Sequence, residues 1–270
     1  PPKVYSRLTD IMKGVAVFML VWCYLGVTYA WTCKEAPQHY GAVQIDAGQG
    51  KVVMRDRNNQ AYFLSGSTWY NLGTVRLKHV SVGPAGIWGV DASNKVYKYV
   101  AGNFVVSAGF TMQQVDAGGA GQVVGVSSFN GIYCLKSTIA SAYKSAGILS
   151  WDSLSKVLIY YSCGPLYGCW GTDKAHRIYV TQQFKPKICE ACGWAVVDGA
   201  AKMVEVGTDG NVFVLNAHGD VYLRTGISSG NPQGTHWTQI PICLPISHLS
   251  YDLGKLWVIT SGGTILQCSQ

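Results

Sequence analysis

The chain repeats one short design six times, and no other property restricts its fold as much. Ser81-Val82-Gly83-Pro84-Ala85-Gly86-Ile87-Trp88-Gly89-Val90-Asp91-Ala92-Ser93-Asn94-Lys95-Val96-Tyr97 reads as a strand end, a glycine turn, an alternating strand, a polar hairpin and a further strand. The design returns at Asp46-Ala47-Gly48-Gln49-Gly50, Asp116-Ala117-Gly118-Gly119-Ala120-Gly121, Ser162-Cys163-Gly164-Pro165-Leu166-Tyr167-Gly168, Glu205-Val206-Gly207-Thr208-Asp209-Gly210 and Ser250-Tyr251-Asp252-Leu253-Gly254. Its second glycines, Gly50, Gly86, Gly121, Gly168, Gly210 and Gly254, are spaced by 36, 35, 47, 42 and 44 residues. A period near ~40 with about four strand signals per unit is that of a β-propeller blade, and no 3.6-residue periodicity after Ala30 supports a helical solenoid. The expected fold is all-β: one six-bladed β-propeller over residues 31–270.

The first thirty residues read differently. Lys13 precedes an apolar run from Val15 to Val27, and Thr28-Tyr29-Ala30 supplies small residues for cleavage, so residues 1–30 are expected to be an extension plus a signal peptide. Met12 is the natural initiator, which leaves residues 1–11 as a stretch that need not be translated. The apolar run is shorter than the ~20 residues of a membrane span, so no stable membrane insertion is expected. A secreted, extracellular chain results. Trimming removes Lys3, Arg7, Lys13 and Asp10, three cations and one acid, so the net charge of +7 falls to +5. That excess has no run of the nucleic-acid-binding kind, although it favours approach to anionic partners.

Export also gives the cysteines a meaning. Cleavage leaves eight, Cys33, Cys134, Cys163, Cys169, Cys189, Cys192, Cys243 and Cys268, an even number that predicts a disulfide framework. The last unit ends at Thr264-Ile265-Leu266-Gln267-Cys268 without an outer strand, while Lys34 to Gly41 is an outer strand without a blade. Joining the two closes the ring and removes both exposed edges. Cys33 then pairs with Cys268, and Cys163 with Cys169 across a turn; the other four stay unassigned.

Several motifs lack the context their chemistry needs. Gly226-Ile227-Ser228-Ser229-Gly230 fits a nucleophile elbow but runs into Asn231-Pro232-Gln233-Gly234 instead of a helix. Cys189-Glu190-Ala191-Cys192 has redox or zinc spacing without a second pair. No paired carboxylates and no nucleophile with a base emerge, so the chain is read as not an enzyme. No cofactor is required. Asp46, Asp116, Asp209 and Asp252, in or beside the turns, are candidate calcium ligands, although a turn carboxylate commonly bonds its own backbone.

The blades resemble the tectonin family, whose repeat has a Val-Gly or Ala-Gly turn, a Val-Trp-x-Val strand, an Ile-Tyr strand and a Trp-x-x-Ile strand. The carriers are Val82-Gly83, Ile87-Trp88-Gly89-Val90, Val96-Tyr97, Gly131-Ile132-Tyr133, Arg177-Ile178-Tyr179, Asp220-Val221-Tyr222 and Trp237-Thr238-Gln239-Ile240. With the leader and the cysteines, the pattern is similar to the fish egg lectins and leukolectins of that family. The resemblance implies a secreted lectin for N-acetylglucosamine and bacterial surface glycans, including lipopolysaccharide, in egg or innate defence, with calcium in some members and a possible homodimer. Candidate sugar-binding residues are Trp88 with Asp91, Trp170 with Asp173, and Trp257, each pairing or placing an aromatic ring near a turn. The alternative is a non-catalytic propeller that recruits proteins in the egg envelope or extracellular fluid.

Overall fold

The computed structural model describes residues 31–270; the expected leader lies outside the described residues. Strands dominate, and they come in antiparallel groups of four. The first group is β2 (Ala42–Gly48), β3 (Lys51–Asp56), β4 (Gln60–Ser65) and the start of β5 (Thr68–Gly83). The end of β5 opens the second group, with β6 (Gly86–Asp91), β7 (Lys95–Val100) and the start of β8 (Asn103–Asp116). The end of β8 opens the third, with β9 (Val123–Ser127), β10 (Gly131–Leu135) and β12 (Asp152–Val157). Two long strands thus turn the corner between groups. The short β11 (Gly147–Ile148) runs parallel to β8, after a six-residue helix α1 (Ser137–Ala142) that the strand-only reading of the repeat did not foresee.

The remaining groups are separate sheets. They are β13 (Tyr160–Gly164), β14 (Gly168–Thr172), β15 (Ile178–Gln182) and β16 (Gly193–Val197), then β17 (Met203–Val206), β18 (Val212–Leu215), β19 (Val221–Thr225) and β20 (His236–Ile240). The last combines β21 (Ile246–Asp252), β22 (Lys255–Thr260) and β23 (Ile265–Ser269) with β1 (Thr32–Glu35) from the other terminus. Cys33 lies opposite Cys268 in that register, and the two are disulfide-bonded across a sequence separation of 235 residues. The borrowed strand is earlier and shorter than residues 34–41. Pro37 has no N–H to donate, and from there the Gln38 side chain takes over, donating to the Ile265 carbonyl at 2.7 Å and accepting from the Ile265 N–H at 3.0 Å.

The first strand of each group packs on the next. β2 contacts β5, β5 contacts β8, β8 contacts β13, β13 contacts β17, β17 contacts β21, and β21 returns to β2. Acids and hydroxyls alternate along this circuit: Asp46, Ser81, Asp116, Ser162, Glu205 and Ser250. Each of five accepts a backbone N–H from the following strand: Val82 to Asp46 at 2.6 Å, Ala117 to Ser81 at 2.8 Å, Cys163 to Asp116 at 3.2 Å, Val206 to Ser162 at 3.1 Å and Ala47 to Ser250 at 2.9 Å. One layer away, Gln44 and Gln114 bracket Val80 and Tyr161 with both ends of their amides. Two residues beyond Asp46 and Ser81 the strands approach so closely that only glycine fits. A Cβ on Gly48 would meet the Val82 carbonyl oxygen at 2.2 Å, and one on Gly83 the Ala117 carbonyl oxygen at 2.0 Å.

Burial follows from this stacking. A sheet packed between two others is covered on both faces, and β9 (VVGVS) and β18 (VFVL) are buried along their whole length, whereas β1 and most of β20 are exposed. The turn glycines Gly50, Gly86, Gly121, Gly168, Gly210 and Gly254 all have positive φ, from 72° to 96°, which explains why that position repeats. Cys163 pairs with Cys169 as expected, and Cys134 with Cys189; Cys243 is also disulfide-bonded. Cys192 corrects the expectation of a fully paired set. It is an exposed free thiol, because the Cys-x-x-Cys segment gives up Cys189 to β10.

Candidate functional site

The aromatic rings singled out in the sequence are packing groups. Trp88 and Trp170 are fully buried, and Trp257 is 5% exposed. The Trp88 indole donates to the Ala85 carbonyl at 2.8 Å, so its polar atom is spent inside its own turn. Their partner acids hold hairpins. Asp91 accepts the Ser93 and Lys95 N–H groups at 2.8 and 2.9 Å and the Tyr97 hydroxyl at 3.0 Å. Asp173 repeats this with Ala175, Arg177 and Tyr179. Burial works to raise its carboxyl, but the bonds from Arg177 and Tyr179 outweigh it and hold the group below the usual carboxylate value. As placed, neither pair offers a ring face with a free carboxylate to a ligand.

The calcium candidates are equally committed. Asp46 and Asp116 belong to the inner circuit, where they hold backbone N–H groups. Burial is the main cause that pushes Asp46 up to about 6 and Asp116 up to about 7, and burial with the charges of both aspartates raises Glu205 well above its ordinary value. Asp209 accepts from Tyr251 at 2.7 Å and from Asn211, while Asp252 accepts from the Gly50 N–H at 2.6 Å and from the Thr208 hydroxyl. These four carboxylates do not fit a calcium cage: they face different donors, and no group of three His, Cys, Asp or Glu among the described residues is placed to hold a metal.

An open aromatic slot lies elsewhere, where the fourth and fifth groups meet. Tyr222 from β19, Trp237 from β20, Asn216 from the hairpin between β18 and β19, the linker residues Gly199 and Ala200, and Ile178 of the preceding group line a pocket of about 230 Å³. Its walls are fixed. The Trp237 indole donates to the Asp198 carbonyl at 2.8 Å, and its ring meets buried Trp170 edge-on with centroids 6.2 Å apart. The Arg224 guanidinium lies 4.9 Å from the Trp237 ring centre and is itself tied to the Asp198 carboxylate at 2.8 Å and the Gln233 carbonyl at 2.7 Å. Asn216 accepts the His218 and Asp220 N–H groups and donates to the Asp220 carboxylate, so the hairpin edge is rigid too.

Such a slot offers an apolar, aromatic-walled seat with peptide groups at its rim, and no nucleophile with a base stands in it. It is smaller than the ~300–1,000 Å³ of pockets that hold drug-sized ligands, which suits one small ring rather than an extended molecule. The sequence already contained the signal, in the Val221-Tyr222 and Trp237-Thr238-Gln239-Ile240 segments and in Gly199. What it hid was that the outer-strand tryptophan, not the inner ones, reaches the surface.

Comparisons with known proteins agree with this architecture. Residues 41–261 match the model of the family described as tectonin domain. The chain is 38% identical over 157 residues to the fish-egg lectin of Cyprinus carpio, a match that spans 57% of this chain and 65% of that protein. Two solved structures share the fold at low identity. One, YCF48 bound to D1 peptide, is 14% identical with a TM-score of 0.51, covering 90% of this chain and 82% of that one. The other, human WBSCR16, is 10% identical with a TM-score of 0.54, covering 85% and 72%. No helix among the described residues is long and apolar enough to cross a membrane.

Proposed function

Because the chain belongs to the tectonin domain family, we propose that it is a secreted, non-catalytic lectin built as a six-bladed propeller whose ring is sealed by strands from both termini. The observation that carries this reading is the Tyr222–Trp237 slot. A pyranose ring has an apolar face that packs on an aromatic side chain, and its hydroxyls need a few fixed polar groups, which the peptide groups of Gly199 and Ala200 and the remaining N–H of Asn216 supply. The ligands are glycans of the N-acetylglucosamine type and bacterial surface glycans such as lipopolysaccharide, and the role is capture in egg or innate defence. The disulfides support an oxidising, extracellular location.

Binding to a glycan array, competed by N-acetylglucosamine and lost in Trp237→Ala, tests the reading. Silence across sugars and lipopolysaccharide overturns it. A second reading, recruitment of proteins, has its own observation. Phe129, Ile148 and Val157 are 89%, 79% and 61% exposed, an apolar display outside the Tyr222–Trp237 slot. Partners pulled from egg fluid in excess sugar, and released by Phe129→Ser, distinguish that role.

A further inference from the structure

The six units differ at one position in a way that decides which of them can accept a sugar. In every unit the residue six places before the axis-facing acid or serine lies on the stretch of chain that leads into the unit's inner strand: Tyr40, Val75, Phe110, Lys156, Gly199 and Leu244. The hairpin strand of five units carries a tyrosine, Tyr62, Tyr97, Tyr133, Tyr179 or Tyr222, and the sixth has Leu266 in its place. In the third and fourth units the side chain at this position lies against that tyrosine. In the third unit the Phe110 and Tyr133 rings lie 4.2 Å apart, and in the fourth the Lys156 amine sits 3.6 Å from the Tyr179 ring centre. In the first, Tyr40 is itself exposed and the neighbouring His39 ring lies at a tilt against Tyr62 at 4.1 Å; in the second, Val75 and Tyr97 pack against one buried cluster.

Only the fifth unit has glycine at this position, and there the Tyr222–Trp237 slot opens; in the third unit Phe110 and Phe129 join Tyr133 in lining a separate cleft of about 360 Å³. A Cβ at Gly199 would stand 3.1 Å from the Trp237 indole nitrogen, 3.5 Å from its neighbouring ring carbon and 3.7 Å from Ile178, so any side chain enters the slot. The backbone there, at φ +97°, is one that side chains rarely adopt. Both features keep the position empty. We infer that the chain binds one sugar residue, in the fifth unit, and that Gly199 is the specificity-determining residue that opens the site. Six-fold repetition then does not give six-fold binding, and tight capture of clustered glycans needs more than one chain. This inference rests on the lectin reading and deepens it.

Equilibrium dialysis against labelled N-acetylglucosamine, with folding of each variant verified by thermal melting, counts the sites. The expected results are one sugar per wild-type chain, affinity at least tenfold lower in Gly199→Asn, whose amide is among the side chains best able to tolerate positive φ, and two sugars per chain in Lys156→Gly. Lys156→Gly keeps the test intact if Gly199→Asn does not fold. Two or more sugars on the wild type, or a single sugar on Lys156→Gly, overturns the inference while leaving the chain a lectin. No sugar on the wild type overturns both.

Discussion

The axis and the rim of this molecule are built from the same repeats under opposite constraints. At the axis, neighbouring inner strands come close enough that Gly48 and Gly83 have no room for a Cβ, and acids alternate with serines to hold each strand to the next. At the rim, one equivalent position holds tyrosine, valine, phenylalanine, lysine, glycine and leucine. The axis therefore enforces likeness, because one faulty joint opens the circuit, and the rim permits difference, because these positions stand outside that circuit. A binding site that exists in one unit belongs at the rim.

The largest expected effect breaks the axis. Gly83→Ala places a methyl group 2.0 Å from the Ala117 carbonyl oxygen, against backbone that cannot yield locally. We expect a loss of more than ~5 kcal/mol or failure to fold, read by circular dichroism and denaturant titration. Wild-type stability would show that the inner circuit is not as tight as described. Opening the closure is next. Cys33→Ser with Cys268→Ser removes a cross-link of separation 235 residues, worth roughly 5–6 kcal/mol in the chain-entropy model, and the denaturation midpoint should fall while glycan binding at low temperature persists.

The third prediction concerns charge at the axis. Asp46 and Asp116 bind their protons more tightly folded than unfolded, so their contribution is complete below the unfolded value near 3.8 and is lost as pH rises through about 6 and about 7. His79, pushed down to about 3 chiefly by burial and then by Arg55 and Lys78, acts in the other sense: its contribution is present above 6.5 and is lost as pH falls toward 3. From pH 6.5 to 8 the carboxyls decide, and stability should decline. Asp116→Asn keeps an acceptor for the Cys163 N–H without the charge; it should flatten that decline and gain roughly 2–4 kcal/mol at pH 8. An unchanged slope of melting temperature against pH contradicts it. The smallest effect is at the rim: Trp237→Ala should weaken sugar binding at least tenfold, ~1.4 kcal/mol, without the collapse expected of Gly83→Ala.

The same contrast explains what could be read from the amino-acid order. The axis was legible because its demands recur: Gly50 and its counterparts need positive φ, and Val212 to Leu215 with Val221 to Leu223 announce their hairpin through Asn216 to Asp220. The pairing of Cys33 with Cys268 followed from two incomplete units. The rim was legible only as repeated aromatic positions, not as a site. Trp88 and Trp237 look alike in sequence, yet one is sealed between sheets and the other stands on an outer strand. Lys156 over Tyr179 and Gly199 beside Tyr222 are relations between segments that are separate in sequence, which local patterns do not encode. Nor did spacing reveal that Cys189 would leave Cys192 for Cys134.

A crystal structure with N-acetylglucosamine bound is the most direct examination of a closed ring with a single opened unit. It should show β21 against β2, the Cys33–Cys268 bond intact, and one sugar between Tyr222 and Trp237 beside Gly199. An open stack of sheets, or sugar seated at Tyr133, Tyr179 or another of the equivalent tyrosines, would contradict it.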